Sequence, residues 1–448
     1  MCDVRSFHGL RYNLQQVRDL SSIITPPYDV ISSTERLSYY RKSPYNIIRL
    51  EYGEEKPSDS AENNKYTRAA AILDDWMKAG ILIREEQPAL YIVEHNFPYQ
   101  DTLKKRLGLL ARVRLEELNN QGNIRPHEKT TKEPAIDRLN LLRACRANIS
   151  PIIGLVRTRK GEMVKLLRGL TKGEPDFSAT DSYGVNYRVW VITYQAAMEK
   201  LSQTFADRVI YIADGHHRYE TALRYRDEQR AARNSYTGDE SFNFVMMSLM
   251  DSHDPGLVML PTHRLVKGIE PIKLAQLEQM LSPYFSVDSL LPSLPTLSET
   301  IQSWLHKLET EGKRGNILGL YGLHEKKLCL LRLKRNADLK KAIPTEELSL
   351  WKKLDVALLQ QIVLRDALSI DTLEKETKHL EFTRDALEAV SKVDSGEYQM
   401  AFLINPTRVL AVLEAADYGK RLPQKSTYFY PKTPAGLVIN PVWDETES

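Results

Sequence analysis

Cysteine is scarce. Cys2, Cys145 and Cys329 are the only three in 448 residues, and they stand far apart. An odd number at that spacing fits neither a disulfide framework nor a Cys-based zinc site. Long apolar runs are missing too. The longest, Phe242 to Met250, falls far short of the ~20 residues a membrane-spanning helix needs. The opening residues, Met1-Cys2-Asp3-Val4-Arg5-Ser6, carry no apolar core of the signal-peptide kind. Neither sign of charge dominates. With 62 basic and 59 acidic residues, the net charge of +3 is too small a footprint for general nucleic-acid binding. There is no tandem repeat and no low-complexity tract, which sets solenoid and fibrous classes aside. These absences leave a soluble cytoplasmic protein as the expectation, with neither membrane nor nucleic acid as partner; a homo-oligomer is compatible with them.

What is present is ordinary for a globular chain: 42% hydrophobic and 27% charged residues. At roughly 100–200 residues per domain, the length allows two or three domains. Ala69, Leu73 and Trp76 fall at helical spacing, and Gly80 suits a helix stop. Ile47 to Leu50, Ala89 to Val93, Leu107 to Leu115 and Ile152 to Val156 read as strands, and Asp137 to Ala147 as a helix. Val209 to Ala213 is a compact apolar strand that runs into Asp214-Gly215-His216-His217-Arg218. A helix follows, with Tyr219, Ala222 and Leu223 on its apolar face. Phe242 to Met250 supplies another buried strand, and a turn at Asp254-Pro255-Gly256 precedes a short strand, Leu257 to Leu260.

Beyond about residue 270 the order becomes helix (Leu274 to Leu281), strand (Phe285 to Leu290), a break at Leu291 to Ser298, and helix (Ile301 to Glu309). Two strands follow, Ile317 to Tyr321 and Lys327 to Leu333. Leu354 to Leu368 and Arg384 to Val390 read as helices, Met400 to Ile404 and Leu437 to Ile439 as strands. The class is α/β to α+β. The expected division is a domain over 1–268 and a smaller α+β domain over 269–448, whose segment 422–439 returns to the site of the first.

Chemistry concentrates where the strand meets the helix. A helix start exposes N–H groups and the positive end of the dipole, which suit an anion. Gly215 lets backbone approach a phosphate, Arg218 can fork onto its oxygens, and His216 and His217 add donors. Asp214 can hold a divalent cation or accept a proton. The plainer alternative is a tight turn in which Asp214 caps the helix. Arg125-Pro126-His127-Glu128-Lys129-Thr130, after a Gln121-Gly122-Asn123 turn, offers a carboxylate, a cation and a hydroxyl, or is simply a polar loop. Leu422 to Lys432 includes Lys425, Ser426 and Thr427, candidates for phosphate or substrate, ahead of Tyr428, Phe429 and Tyr430. It lacks the upstream glycines of a P-loop. Pro261-Thr262-His263-Arg264 could add a second phosphate-binding arginine. Thr25-Pro26-Pro27-Tyr28-Asp29 reads as a rigid extended turn, with Asp29 a possible site carboxylate.

These five motifs, in this order, resemble the domain-of-unknown-function family 1015 over nearly the whole chain. That family is similar to the ParB/sulfiredoxin superfamily, which binds nucleotides through a Gly-x-His-Arg or Gly-x-Arg-Arg turn; Gly215-His216-His217-Arg218 matches it. The resemblance implies a ParB/sulfiredoxin-like nucleotide-binding core with a second, smaller α+β domain. Free serine kinases belong to that superfamily, so it also implies a nucleotide-dependent phosphotransferase using ATP or ADP and Mg²⁺. The acceptor would be the hydroxyl of a small metabolite, L-serine first. The phosphates would fall to Gly215, His216, His217, Arg218, His263 and Arg264, and the substrate to His127, Lys425, Ser426 and Thr427. Glu128, Asp214 and His217 would be catalytic, with Glu128 and Asp214 on the Mg²⁺. The chain departs from the pattern in two places. No Glu-Asn-x-Gln-Arg segment follows the helix, and His216 stands where sulfiredoxin carries its cysteine, which rules out that chemistry. Two other readings are a nucleotide-binding or nucleotide-hydrolysing regulator, and a metal-dependent hydrolase with zinc on Asp214, His216, His217 and His127.

Overall fold

The computed structural model describes residues 2–443, apart from 120, 121, 129, 131, 293, 325 and 326. The chain divides into two compact units, residues 1–258 with 429–448, and residues 259–428. Among the described residues, no helix is long and apolar enough to cross a membrane.

The first unit is built on a mixed sheet, nine-stranded among the described residues. Its path runs Ile124–Pro126, Ile210–Asp214, Ile152–Val156, Phe244–Asp251, Thr102–Arg114, Leu90–Tyr99, Asn186–Ile192 and Phe177–Thr180, with Val4–Arg5 also on Thr102–Arg114. Two pairings are parallel, Ile210–Asp214 with Ile124–Pro126 and Phe244–Asp251 with Ile152–Val156. Every residue of Ile152–Val156 and of Phe244–Asp251 is buried, which explains their near-continuous apolar runs. The helix His216–Ala231 sets Tyr219, Ala222 and Leu223 into the same core as Ile210 and Ile212. At the turn after Phe244–Asp251, Gly256 is required by space, since a Cβ there would lie 1.9 Å from the Lys105 carbonyl oxygen.

The end of the chain threads back through this unit. Thr25 and Ala435 exchange backbone hydrogen bonds, as do Leu10 and Ile439, and Asn440–Pro441 pairs with Ala147–Asn148. Arg106, wholly buried, donates through Nη1 to the Tyr430 carbonyl (2.9 Å) and through Nη2 to that of Pro431 (2.5 Å). Asp254 supplies the nearby negative charge, yet burial still lowers the Arg106 guanidinium to about 10. Thr433 Oγ1 lies 3.2 Å from both Ser248 Oγ and His95 Nε2.

The second unit carries an antiparallel sheet, six-stranded among the described residues. Its order is Phe285–Leu290, Leu328–Leu333, Ile317–Tyr321, Met400–Leu403, His263–Val266 and Leu380–Thr383. The helices Leu297–Gly312 and Ala386–Asp394 cover it with Ile301, Trp304, Leu308, Ala389 and Val390.

Four elements differ from expectation. Ile47 to Leu50 is no strand. Asn46 Oδ1 accepts the Ile48 N–H (2.9 Å) and starts a short buried helix, Ile48–Glu51, so packing overrides the β-branched preference. Leu354 to Leu368 is one short α-helical turn, Asp355–Leu358, that continues as a π-helix, Leu359–Ala367. Leu437 to Ile439 forms a single bridge, Leu10 to Ile439, and the strand proper is Asn440–Pro441. Thr25 to Asp29 is not wholly extended, because Tyr28–Val30 turns into a 3₁₀ helix.

Replacing Arg106 by Met leaves two carbonyls and the Asp254 carboxyl without their cation. We expect Arg106→Met to cost about 3–5 kcal/mol in urea unfolding. Hydrogen exchange should quicken first in the 429–443 segment.

Candidate functional site

Strand direction brings two of the motifs together. Ile210 pairs with Ile124 and Ile212 with Pro126 in parallel register, so both strands end at the same edge of the sheet. They release His127-Glu128 and Asp214-Gly215-His216 side by side. The His127 N–H points to His216 Nε2 (3.3 Å), and His127 Nδ1 lies 2.8 Å from the Ile212 carbonyl. A carbonyl oxygen only accepts, so Nδ1 of His127 carries the hydrogen, and the lone pair of His216 is at Nε2. Their rings meet edge to face with centroids 4.7 Å apart, and both residues are buried.

Gly215 begins the helix at φ +91°, a conformation that favours glycine. A Cβ there would sit 3.0 Å from Arg218 Nε. The capping position falls to Gly215, which has no side chain, and not to Asp214. Instead Asp214 Oδ2 accepts from Arg218 Nη2 (2.8 Å) and Oδ1 from Lys432 Nζ (2.7 Å). Lys432 Nζ also donates to Asp29 Oδ2 (2.5 Å), which makes one ammonium the meeting point of two carboxylates. Arg218 Nη1 reaches Ser150 Oγ (3.0 Å) and the Pro151 carbonyl (2.6 Å). Ser150 passes a hydrogen bond to Glu51 Oε1 (2.8 Å), which also accepts the Tyr28 N–H (3.3 Å). Arg138 donates to the Glu51 carbonyl (2.8 Å) and lies over the Tyr28 ring, 3.9 Å from its centroid. A cavity of about 40 Å³ adjoins Glu51, Arg138, Ser150 and Arg218, room for water rather than for a substrate.

Asp214, Gly215, His216, Arg218 and His127 therefore stand in one cluster. His217 and Glu128 are partly buried, each one residue along the chain from the His127–His216 contact. Thr130 donates to Glu220 Oε2. Gln121 and Lys129 lie outside the described residues.

His263, Arg264, Lys425, Ser426 and Thr427 belong to the second unit. Arg264 is buried, and its guanidinium is turned onto the carbonyls of Thr262, Gln424 (3.3 Å) and Lys425 (3.1 Å), the geometry of a backbone clamp. Ser426 Oγ donates to the Pro423 carbonyl (2.6 Å), and Lys425 takes φ +54°. His263 Nδ1 accepts the Ile404 N–H (3.2 Å).

The zinc set read from the sequence does not assemble. Nδ1 of His127 is turned to a carbonyl, Nε2 of His216 to a backbone N–H, and Asp214 to two cations. Among the described residues, no three His, Cys, Asp or Glu side chains group as a metal set. The sequence motifs assign no role to Lys432, Glu51, Arg138 and Ser150. The available signal was the charge of Glu51 directly after the apolar Ile47-Ile48 and Leu50, and Lys432 at the end of an aromatic run.

His263 supplies a pH test. Burial, with the charge of Arg264 added, pushes its imidazole down to about 4, from an ordinary 6.5. As pH falls below 6.5 the unfolded chain takes up this proton first, so stability is full above that value and declines toward pH 4. Between pH 7 and pH 5 the expected loss is about 2 kcal/mol. Urea midpoints for the protein and for His263→Gln measure it, and the variant should lose less.

Comparison with known proteins gives three results. No curated protein matches the chain. Solved structures with some likeness include a conserved hypothetical protein from Pyrococcus furiosus, at 13% identity over 70% of this chain and 90% of that one, TM-score 0.34. A free serine kinase in complex with AMP has 14% identity over 70% and 89%, TM-score 0.34. SbnI with a C-terminal truncation, from Staphylococcus aureus, has 10% identity over 72% and 84%, TM-score 0.31. A family model described as a protein of unknown function matches residues 4–357, and by that match the chain belongs to the DUF1015 family.

Proposed function

We propose that the chain is a nucleotide-dependent phosphotransferase that moves a phosphoryl group from ATP or ADP to the hydroxyl of a small molecule. By the resemblance read from the motifs, L-serine is the acceptor to try first. One observation carries this reading. Arg218 and Lys432, both largely buried, converge on Asp214 beside a helix start whose capping residue, Gly215, has no side chain. Two cations and a row of backbone N–H groups at one point suit the charge spread over a transferring phosphoryl.

Each residue then has a task. The helix start behind Gly215 receives the donor phosphates, and Arg218 and Lys432 neutralise charge as the phosphoryl moves. Asp214 is the carboxylate that would take a divalent cation, in exchange for the Lys432 ammonium, which leaves Asp29 off the metal. Mg²⁺, when bound, supplies charge neutralisation on the donor phosphates. Asp29 is the more exposed of the pair and accepts the proton of the acceptor hydroxyl. Asp214 stays with its cations. Glu128 and His217 are the next groups in reach of the cluster, and the tasks of His127 and His216 are to hold the two strand ends together.

A phosphorus NMR time course with Mg²⁺, ATP or ADP, and L-serine tests the reading. We expect a new phosphomonoester that requires serine. Arg218→Ala should slow it by about 10²-fold or more. Asp29→Asn should lower kcat while nucleotide affinity changes little. Phosphate released equally without serine would instead make the protein a nucleotide-hydrolysing regulator, and absence of nucleotide binding would sink both.

A further inference from the structure

The second unit has a cavity of its own, about 410 Å³, with every lining residue in that unit. Its origin is topological. Met400–Leu403 and Ile317–Tyr321 are antiparallel neighbours with Leu403 opposite Gly319, so the end of one strand lies beside the start of the other. The loops at that edge, 312–316 and 405–408, form two walls, and 353–355 forms a third. Gly312 and Asn405 pack closely there, since a Cβ on Gly312 would come within 2.4 Å of Asn405 Nδ2.

The lining sets four cations, Lys313, Arg314, Lys353 and Arg408, against two carboxylates, Glu309 and Asp355. Lys313 pairs with Glu309 (3.1 Å) and Lys353 with Glu414 (2.8 Å), contacts exposed enough to be weak and easily re-aimed. Arg408 spends one N–H on the Gly312 carbonyl (3.1 Å), which holds its guanidinium at the cavity. Arg314 makes no side-chain ion pair with a described residue. The helix Val409–Asp417 starts at this wall with Arg408 in the capping position, and the Arg408 side chain does not cap its first N–H groups. Asp355 sits at the cavity and accepts from Asn316 Nδ2 (2.8 Å). Burial pushes this carboxyl up to about 6, against the lowering pull of Asn316 and Arg408.

Size and lining select the ligand. Among the described residues no aromatic side chain lines the cavity, so none is offered for a nucleobase to stack on. Asn316, Asn405 and Thr407 make the lining polar, with their donors turned onto Asp355, the Leu308 carbonyl (3.0 Å) and the Ser426 carbonyl (2.8 Å). Two guanidiniums and two ammoniums exceed what one carboxylate needs and match a dianion. We propose that this cavity binds a small, non-aromatic phosphate monoester, gripped by Arg314 and Arg408 at the start of the Val409–Asp417 helix. The site is independent of the phosphotransferase reading.

Calorimetric titration of the full chain with glycerol 3-phosphate tests it. Saturable binding of one equivalent is expected. Arg314→Ala with Arg408→Ala, two exposed positions, should weaken it at least about tenfold with urea stability unchanged. Asp355→Asn should tighten it, and Arg218→Ala should leave it as it was. No saturation by millimolar ligand, or equal affinity in the double arginine variant, overturns the proposal. So does loss of binding in Arg218→Ala, which moves the ligand to the other site. Inorganic phosphate binding as tightly as the ester would show that the anion alone is recognised and overturn the ester assignment.

Discussion

An ammonium taken out of water must find negative charge, and at Lys432 that requirement organises the first unit. Its side chain is only 6% exposed. Two carboxylates answer it, Asp29 and Asp214, 403 and 218 residues away along the chain. Asp214 then needs the second cation, Arg218, which in turn leans on Ser150 and Pro151. Each buried group passes its need for a partner to the next, and the sequence of debts ends at Glu51 and Arg138. Removal of any member leaves a charge that the others cannot absorb. The cluster is therefore held in place by its own charges, the preorganisation that the proposed phosphoryl transfer would use.

Much of this site was legible in the primary structure, for reasons that can be named. The apolar run Ile210 to Ala213 followed by Asp-Gly-His-His-Arg marks a strand that ends in a charged turn, and periodicity at Tyr219, Ala222 and Leu223 marks the helix. Those are local signals. Which cation meets which carboxylate is not local. It depends on parallel register between strands more than eighty residues apart, and on the return of residues 429–443. Asp29 looked like a turn residue because its partner stands at the other end of the chain. Ile47 to Leu50 misled in the opposite way. Its composition favours a strand, and buried packing turns it into a helix, whose first N–H, that of Ile48, is accepted by Asn46.

Arginine shows how little residue type decides by itself. Arg106, Arg264, Arg218 and Arg314 carry the same fork of donors. Arg106 and Arg264 are buried against carbonyl oxygens and hold backbone in place. Arg218 is balanced by a carboxylate at a helix start, and Arg314 is exposed beside a cavity. Motif reading placed Arg264 with the phosphate ligands on charge alone. The direction of its donors, toward Gln424 and Lys425, is a property of the folded chain.

The interruption of the first unit by residues 259–428 has a consequence for biosynthesis. Domains tend to fold as they leave the ribosome. The second unit is continuous in sequence and has all its strands once residue 428 has emerged. The first cannot complete its charge cluster until Lys432 appears, long after Asp29 and Asp214 have been made. During that interval Asp214 has Arg218 alone, and Asp29 waits in water for the cation they will share. The unit translated first is thus the unit finished last, and a ribosome stalled before residue 432 would carry a chain whose strand-end site is unassembled.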